Sequence, residues 1–210
     1  STEPVVETEE PPEPEVIVDT VYNIPPAALK SLESLKAAVV AAKQGGYTSA
    51  MVTLKGDDGI YLYDTANKSI SSIYKMENAM TAKEICDVIT AAGLKPCARF
   101  STLKDPISVY CVEGVRYWLA DGSTWLDAAY NNGGKAWLSP FNENTAQYIA
   151  SITSEIASAG FKTVVLADLK YPPFGYRDYT EFLAHIPEIQ DADKRVQALW
   201  EIVSASNAAA

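Results

Sequence analysis

The sequence has 210 residues, with 27 acidic against 17 basic side chains and a net charge of -10. Its 48% hydrophobic and 10% aromatic content is ordinary for a globular protein, and the length alone allows one sizeable domain or two small ones. No apolar run approaches the roughly 20 residues of a transmembrane helix, and the basic residues are scattered rather than clustered. We therefore expect no membrane span and no nucleic-acid partner.

The negative charge is concentrated at the N-terminus. Residues 1–20 contain seven acidic residues, four prolines and no basic residue, which leaves a net charge of only -3 for the rest of the chain. This composition predicts an acidic, Pro-rich linker over residues 1–15 and a single α/β domain over residues 16–210. The linker has no signal-peptide pattern, so any secretion signal or anchor would lie upstream or have been removed.

Strands and helices are predicted to alternate along the domain. Apolar, β-branched segments predict strands at 16–22, 49–54, 95–100 and 162–167, and helical spacing predicts helices at about 27–44, 81–93, 144–160 and 191–204. Repeated β-then-α units indicate a parallel sheet covered by helices, with its strands buried on both faces. The fold class is therefore α/β.

Local signals refine these boundaries. Thr81 with Glu84, and Asn144 with Gln147, predict capping boxes at the starts of the second and third helices. The last helix carries a predicted buried stripe of four apolar residues: Val196, Leu199, Trp200 and Val203. The less regular section after residue 100 contains ISVYCVEG and VRYWLADG, which we predict to be an extended pair.

The cysteines and the single histidine point to no cofactor and no metal site. Cys86, Cys97 and Cys111 lack the paired spacing of zinc ligands, and we expect them to be small buried hydrophobic residues. His185 has no nucleophile motif nearby, which argues against Ser/His/Asp chemistry.

A ligand site is predicted where the strands release their loops, because that is where such sites form in α/β folds. Charged residues with Gly or Pro follow three of the strands, at 55–59, 101–106 and 168–173. Aromatic residues accompany them, including Trp125 and Trp137. Polar groups beside flat rings suit a sugar. The alternative is a set of salt-bridged surface loops with the aromatic residues packed in the core.

Four motifs carry a family resemblance: MVTLKGDDGIYLYD, ARFSTLKDPIS, WLDAAYNNGGKAWLSPF and GFKTVVLADLKYPP. In order and spacing they resemble the glycoside hydrolase family DUF4015, a TIM-barrel group often found at bacterial surfaces, over residues 22–173. The resemblance implies a (β/α)-barrel-like fold, an extracellular or cell-surface location, and a polysaccharide or oligosaccharide as partner.

Three acidic positions of the family pattern are replaced. Thr53 stands two residues before Lys55, where the family has an acid, and Lys162 and Ala167 stand at the two aspartates of the last motif. Because glycoside hydrolysis uses two carboxyl groups that flank the bond, these replacements predict a degenerate catalytic site. The candidate substitutes as catalytic acids are Asp57 or Asp58 paired with Asp168. The candidate substrate-binding residues are Lys55, Arg99, Lys104, Asp105, Trp125, Trp137, Lys170 and Tyr171.

The length of the domain is short for a closed barrel. Four firm strands in about 190 residues contrast with the roughly 250 residues of an eight-unit barrel. We therefore expect a barrel that is incomplete or truncated at the C-terminus, and its open sheet edge could pair with a second copy to form a homodimer.

Three functions remain open from the sequence. The first is polysaccharide binding with the catalytic carboxylates lost. The second is an active glycosidase that uses the displaced aspartates, whose general acid would need a pKa raised by burial. The third is a structural or protein-interaction module without a glycan role.

Overall fold

A computed structural model describes residues 19–67, 75–175, 178, 181–182 and 185–210. The predicted acidic linker over residues 1–15 lies outside this range, as does the start of the first predicted strand.

A parallel sheet forms the centre of the described structure. Its strands are β1 (Val21–Asn23), β2 (Ser49–Lys55), β3 (Lys95–Ser101) and β4 (Thr163–Ala167), and they lie side by side in chain order. All three neighbouring pairs are parallel, which confirms the predicted α/β class. Because such crossovers are right-handed, a sheet in simple chain order carries its connecting helices on one face, as a (β/α)-barrel does.

Four α-helices with described bounds lie beside the sheet. They are α1 (Leu32–Gln44), α2 (Ala82–Ala91), α3 (Glu143–Ser158) and α4 (Ala192–Ala209). The capping box of Thr81 and Glu84 is confirmed, with both of its hydrogen bonds formed.

Two helices begin elsewhere than predicted. A 3-10 helix at Pro26–Lys30 precedes α1, because extended Ser31 ends it and caps α1 through the backbone N–H of Ser34. The cap of α3 is Asn142 rather than Asn144. Its side chain accepts a hydrogen bond from the backbone N–H of Asn144, so α3 begins one residue earlier than the predicted cap.

The two faces of the sheet differ in burial. Side chains on the helix-covered face, such as those of Val52, Ala98 and Phe100, are completely buried. On the other face, the neighbours Thr53, Arg99 and Val165 are only partly covered. The prediction that β4 is buried on both faces is therefore wrong. Val165 is 38% exposed, because β4 ends the described sheet and no described element covers this row.

The buried side of α4 also differs from the prediction. Ala198 and Ile202 are buried, whereas Val196 and Trp200 are 68% and 66% exposed. The apolar stripe exists, but α4 packs against α3 through a neighbouring row that includes small residues.

The connection between β3 and α3 is irregular. The predicted extended pair at 107–122 is wrong, since a 3-10 helix occupies Ser108–Tyr110 and the pairing in the described part of this connection consists of isolated bridges. In place of a strand pair, this connection contributes residues such as Tyr117 and Trp125 to an aromatic cluster. Cys86 and Cys97 are buried as predicted, whereas Cys111 follows the 3-10 helix and is exposed.

Candidate functional site

Lys55 and Asp105 form a buried ion pair at the carboxyl ends of β2 and β3. Nζ of Lys55 lies 2.5 Å from Oδ2 of Asp105, and both side chains are 0% exposed. Tyr148 donates a hydrogen bond to the same carboxylate at 3.0 Å and lies 2.9 Å from the hydroxyl of Tyr61. Asp105 also accepts a hydrogen bond from the backbone N–H of Ser108. Every strong polar group of this network has a partner, as burial requires.

A β-bulge explains why Lys55 points inward. The pairing of β2 with β3 shifts register between Thr53 and Lys55, so Lys55 lies opposite Phe100 instead of following Thr53 onto the other face. Its ammonium lies 5.2 Å from the centre of the Tyr148 ring. Strict alternation along the strand would instead place Lys55 on the open face.

The burial of this pair decides what it can touch. Neither Lys55 nor Asp105 reaches the surface in this structure, so neither can contact a bound molecule directly. Burial alone would raise the pKa of Asp105, but the charge and hydrogen bond of Lys55 and the N–H of Ser108 outweigh it and hold the pKa below 3.8. The pair therefore anchors the loop that follows β3 to the end of β2.

A second set of charged side chains, distinct from this buried pair, lies at the surface. Oδ2 of Asp57 is 2.8 Å from Nζ of Lys104, and Oδ1 is 3.4 Å from Nζ of Lys135. Lys104 also lies 5.8 Å from the centre of the Trp137 ring, whose Nε1–H donates to Asp127 at 2.9 Å. These five residues, Asp57, Lys104, Asp127, Lys135 and Trp137, are called the Asp57 cluster below.

The electrostatics of the cluster keep Asp57 ionised. The hydrogen bond from Lys104, followed by the positive charges of Lys135 and Lys104, holds the pKa of Asp57 below its usual value despite some desolvation. In return, the hydrogen bond to Asp57 raises the pKa of Lys104. A general acid in glycoside hydrolysis needs a carboxyl group with a raised pKa. The surroundings of Asp57 lower its pKa instead.

The other two candidate acids have local partners. Asp58 accepts a hydrogen bond from the backbone N–H of Ile60 and is exposed. Asp168 directly follows β4 with a left-handed backbone (φ 53°), and its carboxylate lies 2.9 Å from the hydroxyl of Ser101. The same hydroxyl lies 2.9 Å from the backbone carbonyl oxygen of Lys104, which places Asp168 near the Asp57 cluster.

The remaining predicted binding residues are dispersed. Arg99 lies on the open face between Thr53 and Val165, partly exposed. Lys170 is exposed, and the hydroxyl of Tyr171 donates to the backbone carbonyl of Arg195. Trp125 is buried in the aromatic cluster. The structure thus brings Lys104, Asp57 and Asp168 together. Trp137 lies against Lys104, but it is only 3% exposed and is buried like Trp125.

Sequence reasoning did not select two members of the Asp57 cluster. Asp127 accepts hydrogen bonds from Trp137 and from the backbone N–H of Lys135, and Lys135 reaches Asp57 across the site. Both residues belong to the motif WLDAAYNNGGKAWLSPF. The spacing D-x7-K-x-W could have predicted this group from the sequence. An acidic residue that bonds to both sides of a loop can hold a lysine and an indole near each other.

A cleft of about 460 Å³ lies beside the cluster. It is bounded by the connection between β3 and α3 and by the first turns of α4. Segment 137–141 connects the Asp57 cluster to the cleft, because Trp137 belongs to the cluster while Ser139 and Phe141 line the cleft.

The fold and the sequence motifs together identify the family. The family model DUF4015, described as "Putative glycosyl hydrolase domain", matches residues 21–209. The chain belongs to the DUF4015 family. The resemblance inferred from the four motifs is confirmed, and the fold is of the TIM-barrel type seen in glycoside hydrolases, with four parallel strands in its described part. No curated protein matches the chain significantly.

Solved structures resemble this DUF4015 chain in fold. A hypothetical protein from Ruminiclostridium thermocellum is 20% identical with a TM-score of 0.61, and the match covers 80% of this chain and 90% of that one. An α-galactosidase from Thermus thermophilus is 10% identical with a TM-score of 0.59, covering 91% and 36% of the two chains. The pneumococcal virulence factor StrH is 13% identical with a TM-score of 0.59, covering 91% and 51%. The chain thus spans about a third and about half of the two longer structures.

Two features are absent from the described part of this DUF4015 domain. In the part of the chain that the structure describes, no helix has the length and apolarity to cross a membrane. Within the same ranges, no three His, Cys, Asp or Glu side chains converge as metal ligands would.

Proposed function

We propose that this domain binds carbohydrate at the carboxyl edge of its sheet and does not hydrolyse it. The observation that carries the proposal is the state of Asp57. Its carboxylate is held between two lysines, with a lowered pKa, at the edge where this fold places ligands. The cluster offers a sugar hydrogen-bond donors and acceptors, but the carboxylate of Asp57 is not poised to protonate a leaving group.

The replaced family positions support the absence of hydrolysis. Thr53 and Ala167 lie on the open face of β2 and β4, on either side of Arg99 and Ser101 in β3. In this register, carboxylates at 53 and 167 would face the space where a barrel interior would lie. The hydroxyl of Thr53 and the methyl group of Ala167 cannot take the roles of the two carboxyl groups that glycoside hydrolysis ordinarily uses.

Roles follow for the remaining candidates. Lys104, Asp57, Asp168 and the exposed Lys170 would contact the saccharide, with Arg99 reaching it from the open face. Lys55 and Asp105 would act as positioning residues, because they fix the loop that carries Lys104 from behind. We propose the same extracellular setting that the resemblance implied, and an open edge at β4 that can pair with a second copy.

A combined binding and hydrolysis assay tests the proposal. The purified protein is incubated with a panel of bacterial and plant polysaccharides, and both the retained protein and the released reducing ends are quantified. We expect retention without release, and weaker retention of Lys104→Met. The matched control is Lys83→Met, which removes an exposed helix-surface lysine paired with Asp87.

Each other outcome favours a different function. Release of reducing ends by the unmodified protein would refute the non-catalytic proposal and direct attention to Asp57, Asp58 and Asp168. Absence of both retention and release from a folded protein would favour a structural or interaction module. The double variant Thr53→Asp/Ala167→Asp runs alongside and asks whether restored carboxylates bring back hydrolysis.

A further inference from the structure

The cleft between the β3–α3 connection and α4 has the size of a small-molecule site. Its volume of about 460 Å³ lies within the range of ligand pockets, roughly 300–1,000 Å³. Arg116, Trp118, Ser139 and Phe141 line one side, and residues from the start of α4 and the segment before it line the other. No residue of the Lys55–Asp105 network or the Asp57 cluster lines it.

Arg116 presents a fixed cation to the cleft. Its guanidinium carbon lies 4.0 Å from the centre of the Trp118 ring and 5.5 Å from that of Tyr110. Among the described residues, no carboxylate forms an ion pair with Arg116. A guanidinium that is held flat against an indole keeps its donor edge free for a planar anion, and carboxylates match that edge with two parallel hydrogen bonds.

Ser139 supplies an independent sign of a ligand. Its side chain is 2% exposed and lines the cleft, yet its hydroxyl has no hydrogen-bond partner in the part of the chain that the structure describes. A buried hydroxyl without a partner carries a desolvation cost that folded proteins usually avoid. An oxygen of a molecule bound in the cleft would remove that cost once the Ser139 side chain turns toward it.

The rest of the lining suits a molecule with several hydroxyl groups. Glu188 and Glu201 can accept hydrogen bonds, and Gln197 offers an amide that already donates to Glu201 at 3.0 Å. The ring of Phe141 gives a flat apolar surface, which the C–H face of a sugar can cover. Two basic side chains, Arg116 and Lys194, balance the two acidic ones in the lining.

We propose that this cleft binds a carboxylate-bearing sugar residue, of the uronic acid class, with Arg116 pairing the carboxylate and Ser139 hydrogen-bonding a sugar oxygen. The inference rests on the proposed carbohydrate function and adds a second saccharide site to it. Segment 137–141 contributes to both sites.

The test uses two probes that differ only in the carboxylate: methyl β-D-glucuronide and methyl β-D-glucoside. Binding is followed by NMR of the four tryptophan indole N–H groups, with the Trp118 signal assigned through Trp118→Phe. We expect the glucuronide to shift the Trp118 signal and to bind at least about tenfold more tightly than the glucoside. Arg116→Gln should weaken the glucuronide by a similar factor.

Ser139→Ala is the second variant, because it removes a hydroxyl that stabilises nothing in the free protein. We expect it to weaken glucuronide binding several-fold while leaving the unfolding transition unchanged or slightly higher. Lys83→Met serves again as the surface control. Equal binding of the two probes, or no Trp118 shift by the glucuronide, would overturn the proposal.

The two proposals fail separately. Lys104→Met alters the Asp57 cluster and should reduce retention on polysaccharides without changing the affinity for the monosaccharide glucuronide. A Trp118 shift by the glucuronide, combined with no retention on any polysaccharide, would support the cleft and refute the site at the Asp57 cluster. Retention on polysaccharides without a Trp118 shift would do the reverse.

Discussion

Gly59 lies directly against Asp105. A Cβ atom added at Gly59 would lie 2.6 Å from Oδ1 of Asp105 and 3.0 Å from Cβ of Ile107. Gly59 also has a left-handed backbone, with φ +80°. The turn after β2 can therefore approach the buried ion pair only because this residue has no side chain.

Gly59→Ala should therefore destabilise the protein more than a glycine-to-alanine change at another position with the same φ. Gly122 has the same φ of +80° but open space around its added Cβ, so Gly122→Ala should cost only the backbone strain, about 1–2 kcal/mol. Gly59→Ala adds a steric clash and should cost roughly 2–5 kcal/mol in total. Urea unfolding of the two variants makes the comparison. Equal losses would show that the turn does not press on Asp105.

Removal of the Lys55 charge should be severe, because it leaves a buried carboxylate without its counter-ion. We expect Lys55→Met to lower the free energy of unfolding by about 3–5 kcal/mol. The double variant Lys55→Met/Asp105→Asn removes the unpaired buried charge as well. Its loss of unfolding free energy should therefore be smaller than the sum of the losses of the two single variants. Denaturant unfolding of the full cycle measures this coupling, and strict additivity would contradict it.

The same pair makes stability depend on acid. The pKa of Asp105 is lower in the folded protein than its ordinary value of 3.8. As the pH falls to about 4 and below, the Asp105 carboxyl group is therefore protonated in the unfolded chain before it is protonated in the folded protein. The contribution of Asp105 is complete above that range and is lost as the pH falls through its folded pKa. Urea midpoints from about pH 6 to pH 3 should fall more steeply for the wild type than for Asp105→Asn. Parallel profiles would show that Asp105 is not the group responsible.

Lys104 controls the protonation of Asp57. Because the hydrogen bond from Lys104 is the main cause of the lowered pKa of Asp57, Lys104→Met should raise that pKa toward its ordinary value. Titration of the Asp57 side-chain carboxyl by ¹³C NMR measures the change, with Lys83→Met as the control that leaves it unaltered. An unchanged Asp57 titration in Lys104→Met would mean that Lys135 alone holds the carboxylate.

The two flanks of α4 should respond differently to substitution. Ile202 is completely buried, so Ile202→Ala should cost about 2–5 kcal/mol. Trp200 is mostly exposed, and Trp200→Gln should change the stability of the monomer by no more than about 0.5 kcal/mol. Thermal unfolding of both variants tests the observed orientation of α4 against the stripe of Val196 and Trp200 that its spacing predicts.

The sequence by itself determined the order of the elements and the family. Strands and helices follow from local apolar periodicity, and the capping box at Thr81 depends only on residues three apart, so both could be predicted without the fold. The place of Asp57, Lys104 and Asp168 near one another also followed from sequence, because the carboxyl ends of parallel strands meet at one edge.

Tertiary structure decided which side chains are accessible. A one-residue bulge in β2 turned Lys55 into the core, and the pairing of α4 with α3 left Trp200 outside, although neither change alters the hydrophobic pattern. The unpartnered hydroxyl of Ser139 and the free donor edge of Arg116 likewise depend on which segments meet across the connection between β3 and α3. Register and packing are set by contacts between residues far apart in the chain, and a single sequence does not record those contacts.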